Sequence, residues 1–268
     1  MRTVHPVELF HRILEDRSPH FETLRGEIRD GKRPIVLENL PGSALPFVLS
    51  HLVLAERRPL LVLTAGRERS EDLTGDFEFF KLPAALHYPK WEVLPYDEED
   101  LSLEVTAKTL DVLEAIVRRR EDPEGAPFAI AAPVDAMMLR VLPEERVRDL
   151  TVRVNWGDQL DVAQLSDQLT AAGYSREPIV EARGEYSIRG GIVDIFPLNQ
   201  ENPIRIDLFG DEIESIRTFD LTTQRSLEDL GTEANLIIPP ASLKRQIMEH
   251  LAGGGEMATL FDLLPEDT

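Results

Sequence analysis

Apolar and polar positions follow two different periods along this chain. Pro34-Ile35-Val36-Leu37-Glu38-Asn39-Leu40, Leu60 to Thr64, Ala84 to Tyr88 and Phe128 to Ala132 are short apolar runs, the pattern of strands buried on both faces. Between them apolar residues recur at helical spacing. Val7, Leu9, Phe10, Ile13 and Leu14 begin such a stretch over 7–29, with Pro19 breaking it. Further helical runs are Ala44 to Ala55, Arg67 to Phe80, Val105 to Arg120 and Val134 to Leu142. Buried strands alternating with helices predict an α/β domain with a parallel sheet over residues 1–149.

Past Leu150 the period changes. Thr151 to Val154 reads as a strand, and Val162, Leu165 and Leu169 pattern a helix ending at Gly173, a glycine C-cap. Four short β-branched or aromatic runs follow: Tyr186 to Arg189, Ile192 to Phe196, Ile204 to Phe209 and Ile213 to Phe219. Arg183-Gly184, Gly190-Gly191, Pro197 to Asn202 and Gly210-Asp211 separate them, all residues that tolerate turn dihedrals. An antiparallel meander is predicted, in a smaller α+β domain inserted over 150–222. Strand alternation sends Ile204, Ile206 and Leu208 to one face and Arg205 and Asp207 to the other. One face builds a core and the other is free to meet a partner. After Thr222 a strand (Ala234 to Ile238), a helix (Ser242 to Leu251), the link Gly253-Gly254-Gly255 and a short helix (Met257 to Leu264) predict a return to the α/β domain over 223–268.

Composition narrows the chemistry. Hydrophobic residues make up 42% of 268, enough for a core, and no apolar run reaches membrane-spanning length. The amino-terminal stretch contains acidic residues and no apolar signal core. Without cysteine there are no disulfides or thiolate metal sites, and the six histidines show no HxH or HExxH spacing, so neither a metal nor a cofactor is expected. The formal charge is −20, with 49 acidic against 29 basic residues. A protein that binds duplex DNA through its phosphates needs a basic face, so little direct DNA binding is expected, and acidity favours a protein partner.

The run RGEYSIRGGIVDIFP followed by PIRIDLFGDEIESIR resembles the second domain of the UvrB-like module. That module occurs in the excision-repair protein UvrB and at the amino end of bacterial transcription-repair coupling factors. The resemblance implies a bacterial, cytoplasmic protein with a surface that docks the repair protein UvrA. Contacts to RNA polymerase and to DNA, and an ATP-driven translocase, would belong to domains downstream. The chain is accordingly expected to be the amino-terminal part of a longer protein.

In a UvrB-like ATPase a phosphate loop, G-x-x-x-x-G-K-[ST], would lie at the Ile35 to Ala55 strand–loop–helix. The segment here is Asn39-Leu40-Pro41-Gly42-Ser43-Ala44-Leu45-Pro46. Gly42 remains, Asn39 and Ala44 replace glycines, Leu45 takes the lysine slot and Pro46 the Ser/Thr slot. Leucine offers no cation, and proline neither a hydroxyl nor an N–H. Productive ATP binding is not expected, and no catalytic residue is assigned. Physics alone leaves open an ordinary turn that never bound phosphate; the resemblance favours a degenerate nucleotide site. Between Tyr88 and the next helix the chain is too short for the DNA-clamping hairpin of UvrB. Trp91 and Tyr96 in that loop fit either packing on the sheet or stacking on bases.

The resemblance carries the UvrA-facing arginines onto Arg176, Arg183 and Arg205 and the acidic member onto Asp207, and Arg189 matches the second Arg-Gly step. Ser187 stands where UvrB commonly has arginine. Phe196 fits either the core or the rim of the docking face. Arginine is suited to such a face because its planar, permanently charged fork pairs with carboxylates. Read from the residues alone, the same arginines are also explained as solvated partners of Glu181, Glu185 and Asp207.

Overall fold

The structure is a computed structural model that describes residues 14, 18–93, 101–266 and 268. Most of the helical stretch before Leu14, together with Tyr96 and the acidic loop around it, lies outside the described residues. In chain order the elements are α1 (Pro19–Arg29), α2 (Ala44–Glu56), β1 (Leu60–Thr64), α3 (Arg67–Phe79), β2 (Ala84–His87), α4 (Leu103–Glu121) and β3 (Phe128–Pro133). A 3-10 turn at Val134–Met138 leads to β4 (Arg140–Val141), α5 (Glu144–Leu150), β5 (Val152–Asn155) and α6 (Val162–Ala171). Then come β6 (Ser175–Arg176), β7 (Glu185–Arg189), β8 (Ile192–Ile195), β9 (Ile204–Phe209), β10 (Glu212–Phe219) and β11 (Ser226–Asp229). Last are β12 (Asn235–Ile238), α7 (Leu243–Ala252), β13 (Ala258–Thr259) and α8 (Leu260–Leu263). These form two compact units. One draws on Met1–Tyr88, Arg118–Ala136 and Leu264–Thr268, the other on Pro89–Val117 and Met137–Leu263.

The first unit holds a parallel sheet in the order β1-β3-β2. Leu73 and Phe77 of α3 pack with Val53 of α2, Leu82, and Ala129 and Ala131 of β3; the small alanines let the aromatic ring approach the sheet. A buried hydrogen bond of 2.9 Å between Ser70 Oγ and His87 Nε2 ties α3 to β2. The break read at Pro19 is present: Leu14 is helical, Ser18 is not, and Pro19 opens a separate helix, where its missing N–H is harmless and Ser18 caps Phe21 N–H. Two expectations are corrected here. The strand expected over 34–40 does not form, and Val36 and Leu37 are 73% and 40% exposed. A strand buried on both faces needs a sheet edge to pair with and cover on each side, and this segment acquires neither. The short helix expected over 134–142 is a 3-10 turn followed by β4.

In the second unit a six-stranded sheet runs β11-β10-β9-β8-β7-β6, antiparallel except for the β6–β7 edge. The Asp161 side chain caps α6 by accepting Ala163 and Gln164 N–H, and Gly173 ends it at φ +95°. Leu165 and Leu169 of α6 join Tyr186, Val193, Ile195, Ile204, Ile206, Ile213 and Ile216 in one core. The strand expected near 234–238 is β12. It pairs antiparallel with β5, and Leu236, Ile238 and Ala241 enter the same core as Val152 and Val154. Residues past Thr222 therefore contribute to this core.

Among the described residues no helix is long and apolar enough to cross a membrane, and no cluster of three or more acidic or histidine side chains is placed to hold a metal ion. Trp91 is 6% exposed, which withdraws its ring from stacking on a base.

Candidate partner-docking surface

Register defines the face of the sheet turned away from α6. Ser187, Asp194, Arg205, Arg217 and Asp229 lie directly opposite one another across β7, β8, β9, β10 and β11. Arg189, Ile192, Asp207 and Ser215 form the next row on the same side. The alternation read along β9 is realised: Ile204 and Ile206 are fully buried in the core, and Arg205 and Asp207 point the other way.

The centre of this face is a carboxylate. The Asp194 side chain is 0% exposed. Arg205 donates Nε and Nη2 to its two oxygens at 2.7 and 2.9 Å, and Arg189 donates Nη2 at 2.5 Å. Arg205 also donates Nη1 to the carbonyl of Gln224 at 3.0 Å and stacks 4.6 Å from the Phe219 ring centroid. Its side chain is only 13% exposed. The hydrogen bonds to Asp194, opposed by burial and reinforced by the charges of Asp194 and Asp207, hold the guanidinium above its ordinary pKa. Such a fork is fixed in place, since swinging it outward would leave a buried carboxylate short of donors. Asp207 accepts Ser215 Oγ at 2.8 Å and pairs with Arg217 at 3.3 Å, and Arg217 reaches Asp229 at 3.5 Å.

Beside this network Phe196, Phe219 and Val180 form a small second core, with Leu221 packed against it. Phe196 is 5% exposed, so of the two positions open to it the structure takes the core. Arg183 lies 5.0 Å from its ring centroid and donates to the carbonyl of Gln200 at 2.9 and 3.3 Å. Ser187 is buried and donates to the carbonyl of Pro178.

Arg189, Arg205 and Asp207 are thus brought together; Arg183 lies past the other end of β7, against Phe196, and Arg176 is set apart. Arg176 pairs in register with Tyr186, whose ring faces the core, so it stands on the opposite side of the edge strand β6. It is exposed and makes no ion pair or side-chain hydrogen bond among the described residues. Of the carboxylates first considered as arginine partners, Asp207 does pair with an arginine, Arg217, whereas Glu185 acts differently. Glu185 accepts the backbone N–H groups of Glu181 and Ala182, shaping the turn that ends at Gly184, φ +84°. Asp194 and Arg217 were not singled out from the sequence. The signal available was alternation: Asp194 is two residues before Phe196 and shares its side of β8.

The loop from Asn39 to Pro46 has its own geometry. Asn39 and Gly42 adopt positive φ, 61° and 56°, and Ser43 begins α2 without a side-chain cap. Ala44 donates its N–H to the Pro41 carbonyl, Leu45 is partly covered and Pro46 is buried. No strand leads into the loop, and neither Leu45 nor Pro46 supplies a group that binds phosphate or magnesium.

The arginine-bearing face of the sheet lies within a segment that matches a known family. A family model described as the UvrB interaction domain matches residues 152–243, which spans the core from β5 through β12. The chain resembles bacterial transcription-repair coupling factors. It is 32% identical over 243 residues to that of Bacillus subtilis (strain 168), covering 88% of this chain and 20% of the relative. With the Myxococcus xanthus protein it shares 34% over 217 residues, covering 78% and 18%. With the Escherichia coli (strain K12) protein it shares 28% over 204 residues, covering 76% and 17%. The chain spans about a fifth of the length of the curated relatives it matches.

Proposed function

We propose that this chain is a non-catalytic recruitment module of a transcription-repair coupling factor, and that the outer face of its six-stranded sheet docks UvrA to start excision repair where RNA polymerase has stalled. One observation carries the reading: the buried-carboxylate arginine network lies inside residues 152–243, the segment similar to the UvrB interaction domain. Arg205, locked by Asp194, shapes the face. Arg183 and Arg189 present guanidinium edges to carboxylates of the partner, and Asp207 receives a cation in return. Arg176 contributes from the neighbouring edge of the sheet. Pre-organised forks lose little freedom on binding, so a modest number of such contacts suffices for a specific, salt-sensitive interaction.

The α/β unit is, in this reading, a nucleotide-handling scaffold that has lost its phosphate chemistry at Asn39 to Pro46. Contacts to RNA polymerase and DNA, ATP-driven movement and the cytoplasmic setting belong to the whole protein of which the relatives are examples. The test is equilibrium binding of purified UvrA to the chain and to Arg183→Glu and Arg189→Glu. Binding weakened by each reversal in a folded protein supports the reading. Binding that is absent from the unaltered chain, or indifferent to both reversals, overturns it. Saturable, magnesium-dependent ATP binding by the chain would instead favour a working nucleotide site.

A further inference from the structure

Phe209 ends β9 and is 79% exposed, the most exposed phenylalanine among the described residues. Alternation along β9 puts it on the same side as Arg205 and Asp207, two residues past Asp207 and about 7 Å further along the strand. Arg189, 43% exposed, lies in the Asp207 row. The most exposed phenylalanine among the described residues therefore sits on the same face as Arg189, Arg205 and Asp207.

Its exposure is not that of a loose loop. Phe209 pairs with Glu212 across the two-residue turn Gly210-Asp211, and Gly210 takes φ +65°, a value that glycine adopts without strain. A neighbouring segment pins the tip. Leu160 N–H donates to Asp211 O at 2.7 Å, Ile213 N–H to Asp158 O at 3.0 Å, and Gly157 N–H to Ile213 O at 3.1 Å. On the other side Leu208 N–H donates to Gly191 O at 2.8 Å, and a Cβ on Gly191 would come within 2.9 Å of Leu208 O. The backbone under the ring is held from both flanks. Aromatic side chains pre-positioned in this way, with arginines near them, are the typical dominant contacts of protein interfaces.

We infer that Phe209 is the apolar anchor of the docking face, entering a pocket on the partner that is lined by apolar groups and flanked by carboxylates which meet Arg189. This rests on the docking reading above and assigns the role expected of Phe196 to a different ring, since Phe196 is 5% exposed. The flanking Asp207, Asp211 and Glu212 make a phosphate backbone a poor occupant, which favours a protein surface over a nucleic acid base.

The experiment is equilibrium binding of UvrA to the unaltered chain, Phe209→Ala, Phe209→Leu and Phe79→Ala, with thermal melts on each. Phe79 is a second exposed phenylalanine, 66% exposed and in the other unit. Phe209→Ala is expected to raise Kd at least tenfold with an unchanged melt, Phe209→Leu to recover part of that loss, and Phe79→Ala to leave Kd unchanged. If Phe209→Ala stays within twofold of the unaltered chain while Arg189→Glu abolishes binding, the face docks and the anchor assignment is wrong. If the unaltered chain does not bind UvrA, the docking reading falls and the anchor with it. If Phe209→Ala lowers affinity for single-stranded DNA and not for UvrA, the ring is a base-stacking platform and the inference is overturned.

Discussion

Removing the Asp194 carboxylate tests most directly what holds the arginine-bearing face of the sheet in place. Its side chain is 0% exposed and accepts three charge-assisted hydrogen bonds from Arg205 and Arg189. In Asp194→Ala, Arg189 rehydrates readily because its side chain is already 43% exposed. Arg205 cannot: at 13% exposure it keeps the Gln224 carbonyl and the Phe219 ring but loses its counter-ion. Deleting one partner of a buried pair costs about 3–5 kcal/mol, and the solvent reaching Arg189 and the proximity of Asp207 place this case at about 3 kcal/mol. At about 2–4 °C per kcal/mol the unit should melt about 6–12 °C lower. Urea titration followed by circular dichroism should show a lower midpoint at an unchanged slope. Combining Asp194→Ala with Arg205→Met should be less destabilising than the sum of the single changes, because the second removes the charge stranded by the first. An Asp194→Ala midpoint within error of the unaltered chain, or strict additivity in the double variant, would refute the claim that Asp194 holds Arg205.

Three further outcomes follow from the geometry. Burial, helped by the charge of Glu114, pushes Asp111 on α4 from 3.8 up to about 6. A carboxyl whose folded pKa is raised contributes stability below its unfolded pKa and loses it as pH rises through about 6. Asp111→Asn should therefore stabilise the protein by about 3 kcal/mol at pH 8 and by almost nothing near pH 4, as read from urea midpoints at the two pH values. Gly191→Ala should destabilise the sheet by about 1–3 kcal/mol, because its new methyl meets the Leu208 carbonyl at 2.9 Å and backbone must shift; a midpoint change below about 0.5 kcal/mol would contradict this. Leu45→Lys should not create magnesium-dependent ATP binding by fluorescence titration, because Pro46 still lacks the metal-binding hydroxyl and no strand delivers the loop.

Local patterns determined much of this molecule by themselves. The alternation of Ile204, Arg205, Ile206 and Asp207 requires two unlike faces in any strand, so the core side and the polar side of the meander were legible before any coordinate. The turn glycines and the Gly173 helix end were equally legible, because φ preference belongs to the residue. What only tertiary structure decided is how each polar or apolar group is covered. Residues 34–40 have the composition of a buried strand, but pairing requires a free sheet edge, and none takes them up. Asn235–Ile238 reads as one more strand, and only its pairing with β5 assigns it to the second unit. Asp194 looks like any strand carboxylate until two arginines from β7 and β9 converge on it. Phe196 and Phe209 are chemically identical; one follows β8 directly and the other ends β9. One is roofed by Arg183 and packed with Phe219, the other is held outward by a pinned hairpin tip. Burial is set by neighbours distant in the chain, and a period of two residues carries no information about them.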